Sequence, residues 1–381
     1  VSLVSVSCLA FSIIYETARA IAAPPVATID GMPPVVDSSN LYSEARAGNM
    51  AEAVAGLVTR LYVPNPAADG VDVIDPATMK VIDRYRAGPE PQRVVPSWDL
   101  RTLWVTSHAP GHADGSLTPL DPETGKRGRP VSVDDPDNLY FTPDGKEAIV
   151  VAAAHARLEF RDARTMAPHA RLDVPACKGI RYADFSIDGR YAIFTCAFAG
   201  RLAKVDTVSH KLLGYLSFGG TGRPEDVRIS PDGKHFYVAD GAAGGVRIID
   251  GERLAQVDFI ATGIGAHGLY PSRDGKQLYV ANRGSYLTEP RSGRGSISVI
   301  DFERREVVAN WPIPGGGSPD TGSVSADGKT LWLAGRFDDV VYAIDTERGA
   351  VRSIPVAAAS RDLTVWPQPG RYSLGYTGNM R

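Results

Sequence analysis

The sequence predicts an all-β fold, a seven-bladed β-propeller with four-stranded blades, and three observations predict it. Short apolar segments closing on Asp occur seven times: VDVID (71–75), LTPLD (117–121), LEFRD (158–162), LAKVD (202–206), VRIID (246–250), ISVID (297–301) and VYAID (341–345). Each follows another β-rich run: LYVPN (61–65), LWVTS (103–107), AIVVA (148–152), AIFTC (192–196), FYVAD (236–240), LYVAN (278–282) and LWLAG (331–335). Before most of these runs stands a turn of one type: TPDG (142–145), SIDG (186–189), SPDG (230–233), SRDG (272–275) and SADG (325–328), with SWDL (97–100) as a degenerate copy. Asp-Gly between apolar runs signals a hairpin because Gly accepts the positive φ that a tight turn demands.

The closing Asp residues are spaced by 41 to 51 positions. That suits one blade of strands A, B, C and D and is too short for a βαβ unit with a substantial helix. No helical-period stretch interrupts residues 59–381, which excludes an α/β solenoid, and a radial array of blades leaves few sheet edges exposed.

Taken in chain order, residues 1–23 read as a signal peptide: an apolar run, VSLVSVSCLAFSII (1–14), too short to span a bilayer, and then the small residues ARAIAA (18–23). A secreted or extracytoplasmic protein is the expectation. Residues 24–58 combine PPVATIDGMPPVV with a short helix-like stretch, NMAEAVAGL (49–57), and read as a packed N-terminal arm. Residues 59–88 supply only strands B, C and D of blade one, so LTVWP (363–367) is the missing strand A and the two chain ends shut the ring. RYSLGYTG (371–378) is a second candidate for strand B of that blade, which places the last dozen residues across a face or inside the channel.

Composition narrows the function classes. With 381 residues, 43% hydrophobic content and a net charge of −3, the chain has ample core and no long Lys/Arg run to track phosphates, so nucleic acid is not an expected partner. A monomer without a membrane span is expected.

The runs LYVPN, FYVAD and LYVAN, followed by IID or VID units, resemble the YVTN family of bacterial propeller proteins over about residues 59–381. The resemblance implies the fold and is almost silent on function.

Hairpin geometry sorts the loops into two faces. A–B and C–D turns share one end and are tight; B–C and D–A connections share the other, where SHAPGHADG (107–115) and RGSYLTEPRSGRG (283–295) lie. Function is expected on that second face. Counting back from the A–B turns gives one equivalent position at each strand A entry: Arg361, Arg93, Asn138, Tyr182, Asp226, His267 and Thr321 for blades one to seven. All are polar, as a propeller channel lining requires. Arg93 and Arg361 side by side make a forked anion clamp, with Asn138, Thr321 and Tyr376 as further ligand contacts. His267 reads as a base, Asp226 as the carboxylate that orients it and Tyr182 as an acid.

His108 and His112 stand four apart, but a Pro-Gly pair between them denies helical geometry; with His267 they are the candidate metal ligands, and a divalent metal is the candidate cofactor. Members of the resembled family often carry His where this chain has Arg93, Tyr182, Arg361 and Tyr376, a pattern similar to a channel metal centre. Only His267 matches, so the resemblance does not imply that centre here. Cys177 precedes strand A of blade four and Cys196 ends strand B, so antiparallel pairing brings both to one end of a hairpin and a disulfide is expected. SFGGTGRPED (217–226) has no helix after it and cannot cradle a dinucleotide.

Three functions fit these residues. The first is a propeller binding a small anionic or zwitterionic ligand at the axial channel mouth, with acid/base chemistry of lactonase, lyase or cyclase type. The second is a non-catalytic scaffold for a protein or cell-envelope partner, and the third a metal-binding or redox propeller.

Overall fold

Seven four-stranded antiparallel sheets make up the architecture in a computed structural model of the chain. The structure describes residues 25–108, 114–285, 294–356, 362–376 and 379–381. The expected signal peptide lies outside them, as do His112 and Arg361.

Blades two to seven are each built from four consecutive strands, and blade one joins Thr364–Trp366 to Arg60–Asn65, Gly70–Asp75 and Lys80–Arg86. Arg60 pairs with Trp366, Leu61 with Val365 and Tyr62 with Thr364, so the ring closes through the expected strand A. Among the described residues the helical elements are three single 3₁₀ turns, Ser43–Ala45, Glu52–Val54 and Pro66–Ala68. No helix there is long and apolar enough to cross a membrane.

The repeated sequence signals each have a local cause. In the A–B turns the first hydroxyl bonds the Asp two positions on, as in Ser230 to Asp232 at 2.6 Å and Ser272 to Asp274 at 2.6 Å. The following Gly takes φ near +70°, as at Gly233 and Gly275, and in the degenerate SWDL turn Leu100 adopts the same left-handed conformation at φ 65°. The closing Asp of each strand C caps the C–D turn: Asp162 accepts from the backbone N–H of Arg164 and Thr165, and Asp301 from those of Glu303 and Arg304.

Alternate apolar side chains of neighbouring blades interdigitate between the sheets. Tyr140, Phe160, Phe185, Phe194 and Phe236 belong to one such cluster, while strands D, such as Lys80–Arg86, form the exposed rim.

The arm crosses the A–B turn face. Ile29 N–H donates to Asp188, Leu41 N–H to Pro231, and the Tyr42 hydroxyl to Ile229 at 2.6 Å. The C-terminal segment enters the axis from the same side. Phe141 N–H donates to Leu374, Gly375 bridges Tyr140, and Tyr376 sits fully buried against Tyr140 and Tyr182. Residues 371–376 of that stretch are thus a plug against blade three, and strand B of blade one is Arg60–Asn65.

Candidate ligand site at the channel mouth

Each strand A of blades two to seven begins with a register shift against strand B, between Pro91 and Arg93, Pro136 and Asn138, Ile180 and Ala183, Pro224 and Val227, Ala266 and Gly268, and Pro319 and Gly322. A bulge there breaks the strict alternation of side chains, so neighbouring residues such as Glu225 and Asp226, or Asp320 and Thr321, both depart from the outward-facing pattern.

The buried hub assembled by these entries is a chain of polar contacts. Arg93 Nη1 lies 3.9 Å from Asp362 Oδ1, and Arg93 Nη2 donates to the Tyr182 hydroxyl at 3.4 Å. That hydroxyl is 3.4 Å from His267 Nε2, and His267 Nδ1 is 3.0 Å from Asp320 Oδ1. Thr321 donates to Asp362 at 2.7 Å, Tyr376 reaches the same oxygen at 3.4 Å, and the Arg93 guanidinium lies over the Tyr376 ring at 5.0 Å. Asn138 donates to the Arg181 carbonyl at 3.3 Å and anchors the next blade's entry.

Arg93, Tyr182, His267, Thr321, Tyr376 and Asn138 therefore lie in this hub, all buried. Asp226 does not orient His267. Its carboxylate accepts from Val227 N–H at 2.9 Å and Leu269 N–H at 3.0 Å and pairs with Arg228 at 2.8 Å, so it ties blade five to blade six. The imidazole's carboxylates are Asp320 and Glu225, the latter 3.4 Å from Nε2. They stand at opposite nitrogens, so these three groups do not converge on one metal position. His108 pairs with Asp135 at 2.9 Å beside the cleft described below.

Burial pushes the Glu225 carboxyl up, but the His267, Arg283 and Arg181 charges outweigh it and hold it well below the usual carboxylate range. Asp320 is lowered in the same way by Arg283 and His267. Burial pushes the Tyr182 phenol up to about 12, which keeps its proton in place as a donor. Asp362 goes the other way, pushed up to about 6 by burial that Arg93 and Thr321 only partly offset.

Above the hub, on the face of B–C and D–A loops, opens a cleft of about 1080 Å³ that spans blades one to four. Its wall carries Glu90, Asp135 and Asp137 as negative groups and Lys178 and Arg181 as positive ones. Arg181 and Asp137 approach to 3.5 Å, yet Arg181 Nε and Asp137 Oδ2 are buried with no hydrogen-bond partner among the described residues. Phe198, 63% exposed, stands between the Arg181 and Arg223 guanidiniums at 5.6 and 5.5 Å. Cys177 and Cys196 are joined as a disulfide with Cα atoms 4.7 Å apart, closing the hairpin that leads to Phe198.

The YNCE-like beta-propeller family model matches residues 17–368, nearly the whole chain. The chain belongs to that family. As a YNCE-like propeller it is similar in fold to a candidate 6-phosphogluconolactonase from Bacteroides uniformis, at 20% identity and TM-score 0.62 over 81% of this chain and 98% of that one. It is also similar to hydrazine synthase of Kuenenia stuttgartiensis, at 20% identity and TM-score 0.58 over 72% and 89%. The dihydro-heme d1 dehydrogenase NirN in complex with DHE matches at 15% identity and TM-score 0.58 over 84% and 76%. At these identities the likeness is one of fold. No curated protein matches the chain by sequence.

Proposed function

We propose that this YNCE-like propeller binds a small ligand bearing a carboxylate or phosphate, zwitterions included, in the cleft at its channel mouth. The observation that carries the reading is the Arg181 guanidinium on the cleft wall, its side chain 25% exposed and held 3.5 Å from Asp137. A guanidinium offers a carboxylate or phosphate forked, charge-assisted hydrogen bonds. Lys178 extends the positive wall, and Phe198 offers a ring face to an apolar or sugar surface.

The binding is proposed to occur outside the cytoplasm. The Cys177–Cys196 bond supports this, because disulfides persist in oxidising compartments, and so does the apolar run at residues 1–14.

Acid/base turnover is a second reading, favoured by Asp362, whose pKa of about 6 suits proton transfer near neutrality. Asp362, Tyr182 and His267 are all buried beneath the cleft.

Because two fold neighbours are candidate 6-phosphogluconolactonases, 6-phosphogluconate is the first calorimetric probe, with citrate and glutamate beside it. Arg181→Ala removes a charge-assisted contact, and the expected loss of affinity is about 10- to 100-fold. Equal affinity in wild type and Arg181→Ala would remove the cleft from the account.

A further inference from the structure

On the opposite face, away from the channel mouth, three potential metal ligands converge at the junction of blades three and four. Glu147 opens strand B of blade three (Glu147–Ala152), and His169 stands on strand D of the same blade (Pro168–Asp173). His210 comes from the C–D turn of blade four, next to strand D (Lys211–Ser217). His169 Nε2 lies 2.5 Å from Glu147 Oε1 and His210 Nε2 lies 2.9 Å from Glu147 Oε2. One donor atom from each of the three falls within 4.8 Å of the others.

Three features of this arrangement suit a metal ion. First, both imidazoles present Nε2 to the carboxylate, leaving Nδ1 outward, the orientation in which His commonly ligates. Second, a tetrahedral ion with bonds of about 2.0–2.1 Å needs donors about 3.3 Å apart, so rotations of under about 1 Å open the two His–Glu contacts to fit. Third, the His210 ring is held in place by stacking on Phe160 at 4.0 Å between centroids.

The sequence sets blade four apart at this turn. Four residues after the closing Asp, other blades carry Met79, Gly125, Met166, Leu254, Arg305 and Gly349, whereas blade four carries His210. An imidazole here meets His169 and Glu147 across the blade boundary.

We infer that Glu147, His169 and His210 form a surface site for a borderline first-row dication such as Zn²⁺, which pins blade four to blade three at the rim. Two imidazoles with one carboxylate select Zn²⁺ over Mg²⁺, which prefers an all-oxygen octahedron. His169 is 42% exposed, so the site keeps a position open to water or to a fourth ligand.

The test is calorimetric titration of the untagged full chain with zinc chloride, and separately with magnesium chloride. One saturable zinc site is expected, with little magnesium binding. His169→Ala and His210→Ala should each weaken zinc by at least about tenfold, and zinc should raise the melting temperature of wild type but not of the double variant. Circular dichroism checks that the variants remain folded; His169→Ala alters an exposed side chain and serves even if His210→Ala does not fold. No saturable zinc binding up to about 1 mM, or zinc affinity unchanged in a folded His169→Ala, would overturn the site.

Discussion

Asp362 and Glu225 occupy one buried hub, yet their carboxyls move in opposite directions. Glu225 has His267, Arg283 and Arg181 about it, and these charges overcome the cost of burial. Asp362 has the Arg93 guanidinium at 3.9 Å, and burial wins. A raised pKa means that the folded state holds more protons than the unfolded one between about pH 4 and pH 6. Asp362 therefore costs stability as pH rises through that window, by about 3 kcal/mol for a shift of about two units. The lowered Glu225 and Asp320 act in the opposite sense, contributing stability that is lost on acidification. Asp362→Asn removes only the first effect. Urea unfolding at pH 4 and pH 7 should show wild type losing about 3 kcal/mol more than the variant between the two, and identical pH profiles would contradict the assignment.

At the scale of elements, the bulge at each strand A entry explains both what could be read from the residues and what could not. The repeated Asp-Gly turns fix where strand A ends, so counting back reached Arg93, Tyr182 and His267, which do line the hub. One position per blade assumes strict alternation, and the bulges break it. Arg181, Glu225 and Asp320 each sit one residue before the position chosen, and the adjacent polar pairs RY, ED and DT were the available signal. Asp226 departs from the expected pairing with His267 at such a bulge, where its carboxylate accepts from the next blade's backbone. His210 stands out in the repeat, but its meeting with Glu147 and His169 depends on how two rims stack, which no repeat pattern encodes. The C-terminal plug is a second element-scale device. Gly375 takes φ 110°, and an added Cβ would lie 2.5 Å from the Leu139 carbonyl oxygen. Gly375→Ala should therefore destabilise the chain by about 2 kcal/mol or more, read as a lower urea midpoint; an unchanged midpoint would show that the plug is not held as described.

For the whole molecule, the wheel was legible because seven copies of one pattern vote together and the two ends complete one blade. What the wheel adds is asymmetry between its faces. The arm and the C-terminal plug cover the A–B turn end, through contacts such as Tyr42 to Ile229 and Ser373 to Pro96, and the cleft opens at the other. A ligand in the proposed cleft would meet the B–C and D–A loops first, with the buried Arg93–Tyr182–His267–Asp320 chain beneath them. The most direct test is a crystal structure of the protein soaked in 6-phosphogluconate, read as difference density. Density for an acidic group is expected within hydrogen-bond reach of Arg181, with Asp137 and Phe198 alongside; a ligand ordered elsewhere on the molecule, with this cleft empty, would overturn the proposed site.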